Sequence, residues 1–128
     1  MAGEELENLR RIYDALLGPD VDELRSRAAH DIEITLPESV PWGGTRHGLD
    51  GIESLAESFQ EHVEGSWADA DDFLAVGDRV VVLGRIRGRS RTSGEEFEVP
   101  FVHVWGLTDG VPSVLRAYFD SLPILRAL

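Results

Sequence analysis

The chain has no cysteine, which excludes a disulfide framework, a thiolate nucleophile and any cysteine metal site. It is also poor in positive charge: Lys and Arg number 12 against 24 Asp and Glu, a net charge of −12. Nucleic acid and anionic membranes are recognised through a basic footprint, so neither is expected as a partner. Acidity of this kind is expected to serve solubility. No apolar run approaches the length that spans a bilayer. The opening Met1-Ala2-Gly3-Glu4-Glu5 is acidic and runs straight into a helical pattern, unlike a signal peptide, so a cytoplasmic location is expected. Repeats, linkers and low-complexity segments are missing. So are a His-x-x-x-His spacing, a phosphate loop and a Gly-x-Ser-x-Gly elbow. No metal and no cofactor are expected.

What is present is concentrated in one strand. From Phe97 to Leu107 the chain reads Phe-Glu-Val-Pro-Phe-Val-His-Val-Trp-Gly-Leu. Strand side chains alternate between faces. One face is then Phe97, Val99, Phe101, His103, Trp105 and Leu107. His103 is its only ionisable group. A buried imidazole needs a partner. Either another protein group supplies it, with Tyr13 as one candidate, or a molecule entering a cavity does.

A length of 128 residues fits one domain spanning 1–128. Leu6, Leu9, Ile12, Tyr13, Leu16 and Leu17 mark an amphipathic helix ended by Gly18-Pro19. Asp20 with Glu23 has the spacing of a capping box and opens a second helix carrying Val21, Leu24 and Ala28. Asp31 to Leu36 alternates like a strand, and Pro37 to Gly48 reads as loop. Asp50 and Glu53 repeat the capping pattern before a third helix built on Ile52, Leu55, Ala56, Phe59 and Val63. Four strands follow: Trp67 to Val76, Arg79 to Arg89, the strand carrying His103, and Val111 to Ser121. Tight turns at Gly77-Asp78 and Asp109-Gly110 join them, and Leu122 to Leu128 reads as a final turn of helix. Segregated helices and strands imply an α+β fold, three N-terminal helices packed on a curved, mostly antiparallel sheet.

This order, the Gly18-Pro19-Asp20 turn, the loop Val40-Pro41-Trp42-Gly43-Gly44-Thr45-Arg46-His47-Gly48, and the finish Phe101-Val102-His103-Val104-Trp105, Asp109-Gly110 and Arg116-Ala117-Tyr118-Phe119-Asp120 resemble the nuclear transport factor 2-like superfamily. The branch most resembled is the SnoaL-like polyketide cyclase and ketosteroid isomerase-related one. The resemblance implies a cone-shaped α+β barrel whose sheet curls around an apolar pocket, usually in a homodimer. It also implies a small apolar, oxygen-bearing molecule as substrate for an isomerase, cyclase or lyase. A hydrophobic-ligand-binding protein without catalysis, and a protein-interaction module presenting an exposed apolar patch, are the alternatives.

The resemblance places His103 where ketosteroid isomerase-like members carry a protonated carboxylic acid, so His103 is a candidate hydrogen-bond donor or acid. Arg85 is a candidate electrostatic stabiliser, because Arg85, Arg87 and Leu83 share a face expected to line the pocket. The expected lining is Tyr13, Leu36, Trp42, Phe101, Trp105, Leu115, Ala117 and Phe119. Other family residues are replaced. Ala117 stands where cyclases and epoxide hydrolases carry a catalytic aspartate. Arg87 stands where the hydrolases' Arg-x-Asp pair ends, which rejects epoxide hydrolysis by that mechanism. Leu36 precedes Pro37 where the isomerase base belongs, and Glu38 beyond it is expected to be a solvated loop carboxylate. The isomerase tyrosine position falls on Ile12, one residue from Tyr13, an offset of roughly 100° around the helix. His47 and His62 are expected at the surface.

Overall fold

The computed structural model describes residues 2–16 and 20–128. The end assigned to the first helix at Gly18-Pro19 lies outside the described residues. The elements are α1 (Ala2–Leu16), α2 (Asp22–Arg27), β1 (Glu33–Leu36), β2 (Gly44–His47), α3 (Gly48–His62), β3 (Val63–Val76), β4 (Arg79–Ser90), β5 (Glu96–Thr108), β6 (Val111–Phe119) and α4 (Leu122–Ala127). The six strands form one curled sheet in the order β2-β1-β6-β5-β4-β3. Only β1 and β6 pair in parallel; every other neighbour is antiparallel. The class is the α+β cone expected, with a fourth short helix at its end.

Helix α1 buries Leu9, Ile12, Tyr13 and Leu16, and α3 buries Ile52, Leu55, Ala56 and Phe59. These are the three- and four-residue spacings read in the sequence, and they meet the inner face of the sheet in one apolar core. At full burial each such side chain contributes roughly 1.5–3 kcal/mol. Among the described residues no helix is long and apolar enough to cross a membrane.

Four local expectations need correction. Val63, read as part of the third helix, is the first residue of β3, which begins four residues before the expected Trp67. The segment read wholly as loop contains β2, a four-residue strand with alternating half-buried and exposed positions. It pairs with β1 from Glu33↔His47 to Leu36↔Gly44. Its polar composition left no hydrophobic alternation to see. The capping pair at Asp50 and Glu53 is not used: α3 starts after an extended His47 with no side-chain cap. At α2, Asp20 accepts the Asp22 N–H at 2.8 Å, while Glu23 turns to Arg27 at 2.5 Å instead of reaching back.

The turns follow the sequence closely. Asp109 and Gly110 both have positive φ, 52° and 79°, between the paired Thr108 and Val111, as a two-residue hairpin with matched twist requires. Gly84 matters for a different reason. A Cβ there would lie 2.6 Å from the Phe101 ring and 2.2 Å from the Asp69 carbonyl. The missing side chain lets Phe101 lie across β4 beside its cross-strand partner.

Candidate functional site

Strand β5 positions the site. Phe97, Val99, Phe101, His103 and Trp105 are buried, while Glu96, Glu98, Pro100 and Val102 between them are exposed. His103 sits between Val82 on β4 and Ala117 on β6. Its ring stacks on Phe101, with centroids 3.9 Å apart and planes 20° apart.

From α1, Tyr13 reaches down to this row. The Tyr13 hydroxyl lies 2.6 Å from His103 Nδ1, and Trp105 Nε1–H donates to the same hydroxyl at 2.7 Å. An indole nitrogen can only donate. The Tyr13 oxygen therefore accepts from Trp105; His103 Nδ1 is the one acceptor among the described residues for the hydroxyl proton, and we assign the proton to that bond. Nδ1 is the acceptor, which leaves the proton of a neutral imidazole on Nε2. Burial acts in the same sense. It pushes the His103 pKa down to about 3 and raises that of Tyr13, because each charged form is penalised in an apolar interior. His103, only 3% exposed, is thus a neutral group. Among the described residues no protein atom hydrogen-bonds its Nε2. The sequence had named Tyr13 as a possible partner. It missed the Trp105 bond, although an indole in a buried row always needs an acceptor, and that signal could have found it.

The other expected lining residues divide. Phe101, Trp105, Leu115, Ala117 and Leu36 are buried on the inner side, and Phe119 is half-buried opposite Phe101. Trp42 is buried, but its ring meets Phe59 and His62 of α3 at 5.0 and 6.2 Å. It belongs to the α3 side of the core. His62 is half-buried, not fully at the surface, and its Nδ1 lies 2.9 Å from the Ser58 carbonyl. His47 and Glu38 are exposed as expected.

Arg85 is where the sequence reading fails. Val80, Val82 and Ile86 of β4 are buried, so the alternate residues Leu83, Arg85 and Arg87 point to the outer face. Arg85 is paired there with Asp71 at 3.2 Å and Asp69 at 3.8 Å, and Arg87 is bonded to Asp69. The Asp71 bond holds the Arg85 guanidinium more firmly charged. It is on the wrong side of the sheet to stabilise anything held at His103. Among the described residues no cluster of His, Asp or Glu could hold a metal ion.

One surface cavity is lined by Tyr13 of the hydrogen-bonded cluster. It measures about 320 Å³ and lies between α1 and β3. Glu7, Arg10 and Asp14 line one wall, Asp69, Ala70, Asp71 and Phe73 the other, and Tyr13 is the only buried residue among them. Nothing in the sequence pointed to it, because its two walls come from segments more than fifty residues apart.

The cone-shaped fold and the buried aromatic row with one histidine define a SnoaL-like protein. The family model described as a SnoaL-like domain matches residues 9–111, and the chain belongs to that family, within a fold that includes cyclases and isomerases. Among solved structures it is similar to a nuclear transport factor 2-like protein of unknown function from Burkholderia pseudomallei, with 27% identity, TM-score 0.87, and 96% of this chain and 95% of that one covered. A nuclear transport factor 2-like protein from Burkholderia xenovorans is 29% identical, with TM-score 0.83 over 98% and 95% of the two chains. TerC, co-crystallised with polyporic acid, is 25% identical, with TM-score 0.86 over 96% of each chain. No curated protein matches the chain.

Proposed function

We propose that this protein holds a small apolar, oxygen-bearing molecule against His103, which gives the ligand oxygen a hydrogen bond from Nε2. The observation that carries this is a buried imidazole whose Nδ1 is hydrogen-bonded to Tyr13 and whose Nε2 has no hydrogen bond to any described residue. A neutral imidazole is a donor for a carbonyl or phenol oxygen and not a counter-ion for a carboxylate. The similarity to TerC, solved with polyporic acid, supports a ligand of this general kind.

Binding without turnover accounts best for the surroundings. The strand positions where the family resemblance would place aspartates hold Ala117, Arg87 and Leu36, and no carboxylate faces His103 from its cross-strand neighbours Val82 and Ala117. One observation favours an isomerase, cyclase or lyase instead. The Tyr13–Trp105 pair fixes the imidazole in a single tautomer, as an electrophilic donor to a developing oxyanion requires. Thermal shift with a panel of flat ketones and phenols, followed by product analysis, separates the two. Stabilisation with unchanged ligand is the expected result. Product formation that is lost in His103→Gln would establish the enzyme, and no stabilisation by any compound would remove the ligand.

We further propose that the protein is a homodimer through the outer face of the sheet. Leu83, Val102 and Tyr118 form one cross-strand row there, beside Val81 and Val104. Val102 and Tyr118 are exposed, Tyr118 at 54%. A contiguous apolar sheet face of this kind suits an isologous contact with a second copy.

A further inference from the structure

The cavity between α1 and β3 has a feature that the ligand reading does not use. Arg10 projects from the exposed side of α1, with Glu7 and Asp14 within a turn of it on the same helix. It nevertheless makes no ion pair with any described residue. Its guanidinium carbon instead lies 4.6 Å from the centroid of the Phe73 ring. Phe73 in turn meets the Tyr13 ring edge-to-face, with centroids 5.5 Å apart. Arg10, Phe73 and Tyr13 form a chain of contacts from the exposed guanidinium to the buried tyrosine whose hydroxyl binds His103, and all three line the same cavity.

We propose that Arg10 and Phe73 are the gate to the Tyr13–His103–Trp105 cluster, and that they set which molecules reach it. The proposal rests on the reading that a small molecule binds at His103. A gate needs a closed arrangement that is preferred yet cheap to leave. One exposed cation–π contact biases a side chain about two- to fivefold toward the closed arrangement, so Arg10 swings away readily. The neighbouring Asp69 and Asp71 are already tied to Arg85 and Arg87 on the adjacent strand. They do not hold Arg10 in place. The face that Arg10 leaves is a bare aromatic ring. A flat, uncharged, aromatic or conjugated molecule replaces the guanidinium on that ring. A carboxylate-bearing molecule meets Glu7 and Asp14 at the rim and is disfavoured.

The test reads access to Tyr13 without needing a ligand. The chain has two tyrosines, Tyr13 and Tyr118. Protein labelled with 3-fluorotyrosine gives one fluorine signal from beneath the gate and one from the exposed sheet face. A neutral nitroxide is added, and the paramagnetic broadening of both signals is compared in wild type, Arg10→Ala, Arg10→Lys and Phe73→Ala. The expected result is a several-fold rise in broadening of the Tyr13 signal in Arg10→Ala and in Phe73→Ala. Arg10→Lys should behave as wild type, and Tyr118 should be unchanged throughout. Equal protection of Tyr13 in wild type and Arg10→Ala would overturn the gate, as would a rise in Phe73→Ala alone. Failure of every ketone and phenol to bind would remove the ligand reading and leave this readout standing.

Discussion

The Tyr13 hydroxyl lies 2.6 Å from His103 Nδ1, and this contact joins α1 to the middle of the sheet across ninety positions of sequence. It also decides the chemistry of the imidazole. With the Trp105 indole donating to the same oxygen at 2.7 Å, the proton order along the three side chains is fixed.

Removing that hydroxyl should be costly out of proportion to its size. Tyr13→Phe leaves His103 Nδ1 and Trp105 Nε1–H buried without partners, at about 1–3 kcal/mol each. A loss of about 2–6 kcal/mol in urea denaturation is expected. A loss below about 1 kcal/mol would mean that the hydrogen bonds do not form.

Stability should fall as the solution is acidified, with a recognisable contribution from His103. Its pKa is lowered by burial to about 3 in the folded chain, against about 6.5 when unfolded. Between those values the unfolded chain binds a proton that the folded one refuses. Folding is therefore favoured fully above about pH 6.5 and progressively less below it, by up to about 1.4 kcal/mol per pH unit. His103→Leu should remove this component, so the difference in stability between variant and wild type should shift in the variant's favour from pH 7 to pH 4.

Arg85→Ala should leave ligand affinity within a few-fold of wild type, since the side chain does not face His103 and its loss acts only through the freed Asp71. Its side chain is 39% exposed on the outer face and tied to Asp69 and Asp71. Partly exposed pairs of this kind contribute about 1 kcal/mol or less. A tenfold loss of affinity in this variant would place Arg85 in the site after all.

Gly84→Ala should damage the site without touching it. The new Cβ would meet the Phe101 ring at 2.6 Å and a backbone carbonyl at 2.2 Å, and the carbonyl cannot swing aside. Overpacking of this sort costs about 1–3 kcal/mol. The His103 ring, stacked on Phe101, should show altered chemical shifts.

Placing a charge on the outer face should separate the proposed dimer. Val102→Asp is exposed in one copy and tolerable there, but it would bury carboxylates at the contact between two. Light scattering behind a sizing column should report a dimer for wild type and a monomer for the variant. A wild-type monomer would contradict the interface.

Strand β5 was legible because its two faces differ so sharply: large apolar side chains alternate with Glu96, Glu98 and Pro100. Strand β4 was not. Val80 to Leu83 are apolar on both faces, so that stretch fits either phase, and the inward Gly84 shows no side chain to count. Ile86, apolar between two arginines, carried the correct phase. Counting it would have turned Arg85 outward. The α1 and α3 spacings were clear because each buries a single stripe. Strand β2 stayed hidden because a short polar edge strand has no hydrophobic period. The cavity beneath Arg10 was invisible for a different reason, since it is made by tertiary packing alone.

The most direct measurement is the protonation state of one ring. Long-range nitrogen–proton correlation spectra of 15N-histidine-labelled protein report which imidazole nitrogen carries the proton. For His103 the expected spectrum is a neutral ring protonated on Nε2, unchanged from pH 8 to pH 5, with the Nε2 signal shifting when a flat ketone or phenol binds. A ring protonated on Nδ1, or a doubly protonated ring at neutral pH, would contradict the account.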